Sequence, residues 1–208
     1  MFTQLFKRLG SVLMALVLVL CLTVILMPVT VSAETVAQGY YDEVNWILDS
    51  NGKLVIYGSG RMGTSGVPIL PQNTWRKSSY IRNVKTVVIE SGVVSIGPNA
   101  FNGCYNITSI SIPSSVTYIG NNAFAGCESL TELTIPSGVS TLGASAFSKT
   151  GLTSITIPEK ITTVGSELFY GCENLKSVTF KGHITDIGSY AFGNCSTLTD
   201  LNFEKSFS

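Results

Sequence analysis

Cys104, Cys127, Cys172 and Cys195 each stand three residues after a phenylalanine, at Phe101, Phe124, Phe169 and Phe192. A thiol repeated in this way invites three chemistries. A nucleophile needs a base beside it. The one histidine, His183, lies in the turn before the last of these segments, and no cysteine has a His or Lys partner next to it in the sequence. A Cys₄ zinc site needs four sulfurs about 2.3 Å from one point. A disulfide needs Cβ atoms roughly 3.5–4.5 Å apart and directed at each other. An even number of cysteines in an exported chain favours such bridges, so the elements that carry the thiols must decide.

Those elements are repeats. Five segments begin at Val93, Val116, Val139, Ile161 and Ile184, with steps of 23, 23, 22 and 23 residues. Phe101, Phe124, Phe147, Phe169 and Phe192 keep step, as do Gly97, Gly120, Gly143, Gly165 and Gly188. The third repeat is one residue short, between Phe147 and Leu152. Within a repeat, a stretch such as "LTELTI" (130–135) alternates apolar and polar residues, the pattern of a short strand with one buried face. Pro136 ends it without needing a ladder donor. Gly120 permits a sharp turn, and "NNAFAGC" suits one helical or 3₁₀ turn that throws Phe124 inward. A single turn cannot bury its apolar side; stacking turns at the ~4.8 Å strand separation does.

The stack answers the cysteine question. Equivalent residues of adjacent turns lie side by side with parallel Cα–Cβ bonds about 5 Å apart, so the thiols form a line, interrupted where Thr150 takes the place of one. Bridging 104–127 or 172–195 would distort the turns, and four sulfurs on a line cannot surround a metal. Small and mildly apolar, each Cys is expected to fill a core position.

Residues 1–33 have the form of a secretory signal peptide: Lys7 and Arg8, the 19-residue uncharged run Leu9–Met27, then Pro28 and a small-residue exit at Val31 and Ala33. The run is also long enough to span a bilayer as an uncleaved anchor, the only membrane association expected. Both readings place the remainder outside the cytoplasm. Cleavage leaves 175 residues with 11 basic and 13 acidic side chains, a net charge of −2. Nucleic acid and anionic lipid demand clustered Lys and Arg, so neither is an expected partner.

The pattern IGxxAFxxCxxLxxLxIPxx, recurring from Val93 to Phe203, resembles the BspA-like class of leucine-rich repeat. Leu168, Thr150, Lys181 and Glu204 depart from it. The resemblance implies a curved solenoid with a parallel sheet on its concave face and short helical or 3₁₀ turns. Together with the leader, the resemblance implies an extracytoplasmic protein, secreted or at the cell surface, that adheres to host-matrix proteins or other cells, with no catalytic residues to carry over.

Residues 34–92 are expected to form a β-rich N-terminal cap, with a β-hairpin over Val44–Gly60 turning at Asn51-Gly52. Trp46, Trp75 and Tyr80 sit among apolar strand residues, which favours cap core over carbohydrate stacking. Residues 93–208 hold the five repeats. No matching C-terminal cap follows Phe203, which leaves an open sheet edge of the kind native proteins cover; the expectation is a truncated product or the first part of a longer surface protein.

Function then falls to the outward positions of the strands: Ser109 and Ser111, Glu132 and Thr134, Ser154 and Thr156, Ser177 and Thr179, Asp200 and Asn202. They form two columns of mostly hydroxyl side chains, suited to an extended protein segment or a glycan, although Ser and Thr are also ordinary solvent-facing strand residues. Asn106-Ile107-Thr108 matches a glycosylation sequon. The chain lacks paired catalytic carboxylates, a phosphate loop, a His cluster and any Ser or Cys set beside a base. No cofactor or metal is implied. A non-enzymatic binding protein leads, with a structural spacer as the alternative.

Overall fold

The computed structural model describes residues 33–63 and 78–205. Trp75 and the N-terminal apolar run lie outside them. Strands β1 (Thr35–Tyr41), β2 (Val44–Asp49), β3 (Lys53–Gly58) and β4 (Gly60–Met62) precede a single helical turn, α1 (Ser78–Ile81). The repeats then contribute short strands: β5 (Thr86–Ile89), β6 (Val93–Ile96), β7 (Ser109–Ser111), β8 (Tyr118–Ile119), β9 (Thr141–Leu142), β10 (Ser154–Ile157), β11 (Thr163–Val164), β12 (Ser177–Phe180), β13 (Asp186–Ile187) and β14 (Asp200–Phe203). The result is a parallel-strand solenoid of about five turns.

The expected hairpin is β2–β3. Gly52 takes φ +85°, and the Asp49 Oδ1 accepts the backbone N–H groups of Asn51 and Lys53, each at 2.9 Å. Strand β1, which alternation did not single out, adds antiparallel to β2. On its other side β3 pairs in parallel with β5, and β5 with β7. One strand therefore belongs to both the hairpin and the solenoid, and the apolar edge of the first turn is covered.

Each turn of the solenoid has three walls. The first is the sheet of β3, β5 and β7, resumed by β10, β12 and β14 with Ser154, Ser177 and Asp200 in register. The second, at the Ile-Gly positions, runs β4, β6, β8, β9 and then β11, β13. The third is built from the segments around the phenylalanines. Here the expected helical or 3₁₀ turn takes the form of successive i→i+3 hydrogen-bonded turns. Asn99, Asn122, Ser145, Glu167 and Tyr190 adopt φ of 57°, 54°, 55°, 56° and 55°, a left-handed conformation that stops a helix from propagating. Hydrogen-bonded turns flank that residue, as in Ala100 N–H to Gly97 O (3.2 Å) and Cys104 N–H to Phe101 O (3.0 Å). The phenylalanine N–H is thereby turned toward the next rung: Phe101 donates to Ala123 O at 2.7 Å, Phe124 to Ala146 at 2.8 Å, Phe147 to Leu168 at 3.0 Å and Phe169 to Ala191 at 2.8 Å. Inside this wall the rings stack with centroids 5.5, 5.7, 5.6 and 5.6 Å apart, and the first four are fully buried.

The phenylalanine wall is bonded at every junction; the two sheets are not. Residues 130–135, expected as a strand, keep the alternating burial (Leu133 and Ile135 buried, Glu132 and Thr134 exposed) but form none. Thr131 O accepts Thr153 N–H at 3.1 Å; among the described residues the peptide groups of Glu132 to Ile135 meet no backbone partner. The second wall is likewise unpaired between β9 and β11. Both interruptions adjoin the short third repeat. The stretch 131–135 is unpaired on both sides, toward β7 of the full-length first repeat as well as toward β10 of the short third.

Candidate functional site

The sheet face carries the ten outward residues as the alternation requires. Ser109, Ser111, Glu132, Thr134, Ser154, Thr156, Asp200 and Asn202 are exposed, and Ser177 and Thr179 are half-buried. Their inward neighbours Ile155, Ile157, Val178 and Phe180 are buried, so the face is positioned by side chains it does not show. The structure brings six of the ten together. Glu132, Thr134, Ser154, Thr156, Ser177 and Thr179 line one recess of about 730 Å³, which Ser137, Pro158, Glu159 and Lys181 close at one side. Ser109, Ser111, Asp200 and Asn202 lie outside it.

The recess coincides with the unpaired stretch of the second repeat. Its lining therefore includes Glu132–Ile135, whose peptide groups have no backbone partner, as well as hydroxyl side chains. Sequence patterning assigned these residues a complete ladder and missed that contribution. It also missed Glu159 and Lys181, which follow the strands. Lys205 forms an ion pair with Glu159 and holds its carboxyl below the usual range, chiefly by the hydrogen bond and then by charge. Lys181 remains the cation of the lining.

The cysteines have no part in that surface. None of the four is disulfide-bonded. Cys127, Cys172 and Cys195 each direct Sγ at the carbonyl of the phenylalanine one rung back, Phe101, Phe147 and Phe169, at 3.3, 3.0 and 3.0 Å. Thr150 takes the column's place in the third repeat, donating to Phe147 O at 2.9 Å and lying 3.2 Å from the Cys172 Sγ. The position thus satisfies a buried carbonyl with a small side chain. Burial pushes the Cys127 thiol well up, with the neighbouring Cys104 adding to it. Burial raises Cys172 and takes Cys195 to about 11. Thiols held protonated in this way are poor nucleophiles and poor metal ligands. Among the described residues no three His, Cys, Asp or Glu side chains are grouped to hold a metal.

Trp46 is 2% exposed and packs 6.3 Å from the half-buried Tyr80 ring, a cap-core position rather than a stacking platform. The sequon residue Asn106 donates its amide to Arg82 O at 2.8 Å, and Thr108 bonds Lys85 O. Both side chains tie the first repeat to the turn that precedes it.

The model of the "BspA type Leucine rich repeat region" matches residues 78–208 in six copies. The first copy begins at α1 and takes in β5, which already lies in the sheet of the repeats. Among solved structures, a leucine-rich repeat protein of Eubacterium ventriosum is 28% identical with a TM-score of 0.68, covering 81% of this chain and 45% of its own. One from Bacteroides ovatus is 26% identical at 0.52, covering 79% and 52%. The T. pallidum leucine-rich repeat protein shares the fold at 23% identity and 0.58, covering 81% and 84%. The chain thus spans about half the length of the first two. No curated protein matches it. With the repeat signature, the three-walled solenoid and the family match over the same residues, the chain belongs to the BspA-type leucine-rich repeat proteins.

Proposed function

We propose that this is a non-enzymatic binding protein, working outside the cytoplasm, whose sheet face takes an extended segment of a partner protein. The observation that carries the reading is the recess over Glu132–Thr179, where two hydroxyl columns meet peptide groups left unpaired by the splayed second repeat. Polar groups withheld from a ladder seek partners, and an extended chain offers N–H and C=O groups along its length. Supporting the non-enzymatic part are thiols raised by burial and buried in the core. The leader-like residues 1–33 support the extracytoplasmic part. A spacer role is the second reading, favoured by relatives about twice the length of the matched region.

The test is retention of the purified full chain on immobilised collagen and laminin. The double variant Ser154→Arg/Thr156→Arg, at exposed positions, is expected to lower affinity at least tenfold while the urea midpoint stays within error. Equal binding by variant and parent would remove the sheet face from the function. Absence of binding to either protein would favour the spacer.

A further inference from the structure

We propose that a notch in the third repeat, at the corner between the phenylalanine wall and the start of the sheet strand, binds a neutral sugar ring. This inference is independent of the sheet face and shares no residue with it. Where other repeats place two residues after the cysteine position (Glu128-Ser129 in the second, Glu173-Asn174 in the fourth), the third has only Gly151. The shortened corner lies in a recess of the surface. A Cβ on Gly151 would lie 2.1 Å from Glu128 O, so glycine lets the shortened corner pack directly on the rung before it. The recess holds about 570 Å³, within the roughly 300–1,000 Å³ of small-molecule sites. Its lining brings Glu128, Lys149, Tyr170, Glu173, Asn174 and Asn194 together from three rungs.

The chemistry of that lining is selective. Tyr170 is half-buried and its ring is backed by Gly193, where a Cβ would fall 2.9 Å from ring carbon Cδ2. At the equivalent position the first three rungs carry Asn102, Ala125 and Ser148 and the fourth Tyr170 itself, so glycine occurs in the rung next to the ring, where it makes room for it. The Tyr170 hydroxyl accepts the Asn194 amide at 2.9 Å, which fixes the ring and engages its polar end. What remains is an aromatic surface for the C–H face of a pyranose, ringed by carboxylates that accept, an ammonium that donates and an amide that does both. A phosphate or a uronic acid would meet two carboxylates against one lysine. An apolar ligand would find no apolar pocket. The Thr150 hydroxyl is already committed to Phe147 O.

The experiment is biolayer interferometry of the full chain against polymer conjugates of galactose, mannose and N-acetylglucosamine, with a sialic acid conjugate as the anionic comparison. At least one neutral conjugate is expected to bind, and more strongly than the sialylated one. Tyr170→Ala and Glu173→Gln should each weaken binding tenfold or more, while Tyr170→Phe, which keeps the ring face, stays within about threefold. Thr156→Arg on the sheet face should change nothing. Glu173 is exposed, so its variant decides the matter even where Tyr170→Ala unfolds. Silence from all three neutral conjugates overturns the proposal. So does binding that Glu173→Gln leaves unaltered, or that Thr156→Arg abolishes.

Discussion

The cysteine position shows how a residue that invites chemistry is disarmed by its surroundings. Each of three thiols faces a phenylalanine carbonyl in the core, where a thiolate would be desolvated and set against a carbonyl oxygen. The consequence is a pH dependence of stability with a definite sign. Burial raises the folded thiol above its ordinary value of 9.0, for Cys195 to about 11. The unfolded chain therefore loses protons first as pH rises, and the stabilisation is complete below about 9 and is lost on the way toward 11. The urea midpoint should fall between about pH 8 and pH 10.5, and fall less in Cys195→Ser. An identical drop in parent and variant would show that other groups govern it.

At the scale of the element, the contact between rungs is set by glycine where backbones approach. Neither Gly143 nor Gly165 has a left-handed φ, so only space distinguishes them. A Cβ at Gly143 would sit 2.3 Å from Asn121 N, whereas at Gly165 the nearest atom is Ala144 Cα at 3.5 Å. Gly143→Ala should cost about 1–3 kcal/mol by overpacking. Gly165→Ala should be neutral or add up to about 1 kcal/mol by restricting the unfolded chain, both read from urea denaturation. The same looseness should appear in hydrogen exchange. Amides of Glu132–Ile135, without backbone partners, are expected to exchange well ahead of those of Phe124 and Phe147, which are bonded to the next rung. Comparable protection of the two sets would mean that the second repeat closes its ladder in solution.

For the whole molecule, the continuous wall rather than the sheets carries cooperativity. Rings at Phe101, Phe124, Phe147 and Phe169 touch in sequence, so removing an interior one breaks contacts on both sides. Phe124→Ala should cost about 3–5 kcal/mol, seen as a lower urea midpoint in one transition that includes the fluorescence of Trp46 in β2, read in a Trp75→Phe background. Two resolved transitions would show that β3 and β5 do not couple hairpin to solenoid. Coupling is expected because neighbouring units stabilise each other only through shared faces.

The sequence by itself determined the repeat and its period, the inward column of phenylalanines, the duller role of the cysteines, the hairpin at Asn51-Gly52 and the ten outward positions. All of these follow from local rules: side-chain alternation, positive-φ turns and equivalence of residues one period apart. The tertiary structure decided what depends on fit between turns. It chose i→i+3 turns interrupted at a left-handed residue over a regular helical turn, because the phenylalanine N–H groups bond across rungs. It left 131–135 without strand partners although the pattern there is as regular as any, because register between rungs is a property of neighbours and not of the segment. It gathered six of ten surface residues into a recess and opened a notch at Gly151. The notch lies at the one missing residue of the third repeat, which the sequence displays but whose effect on spacing only the packed turns resolve.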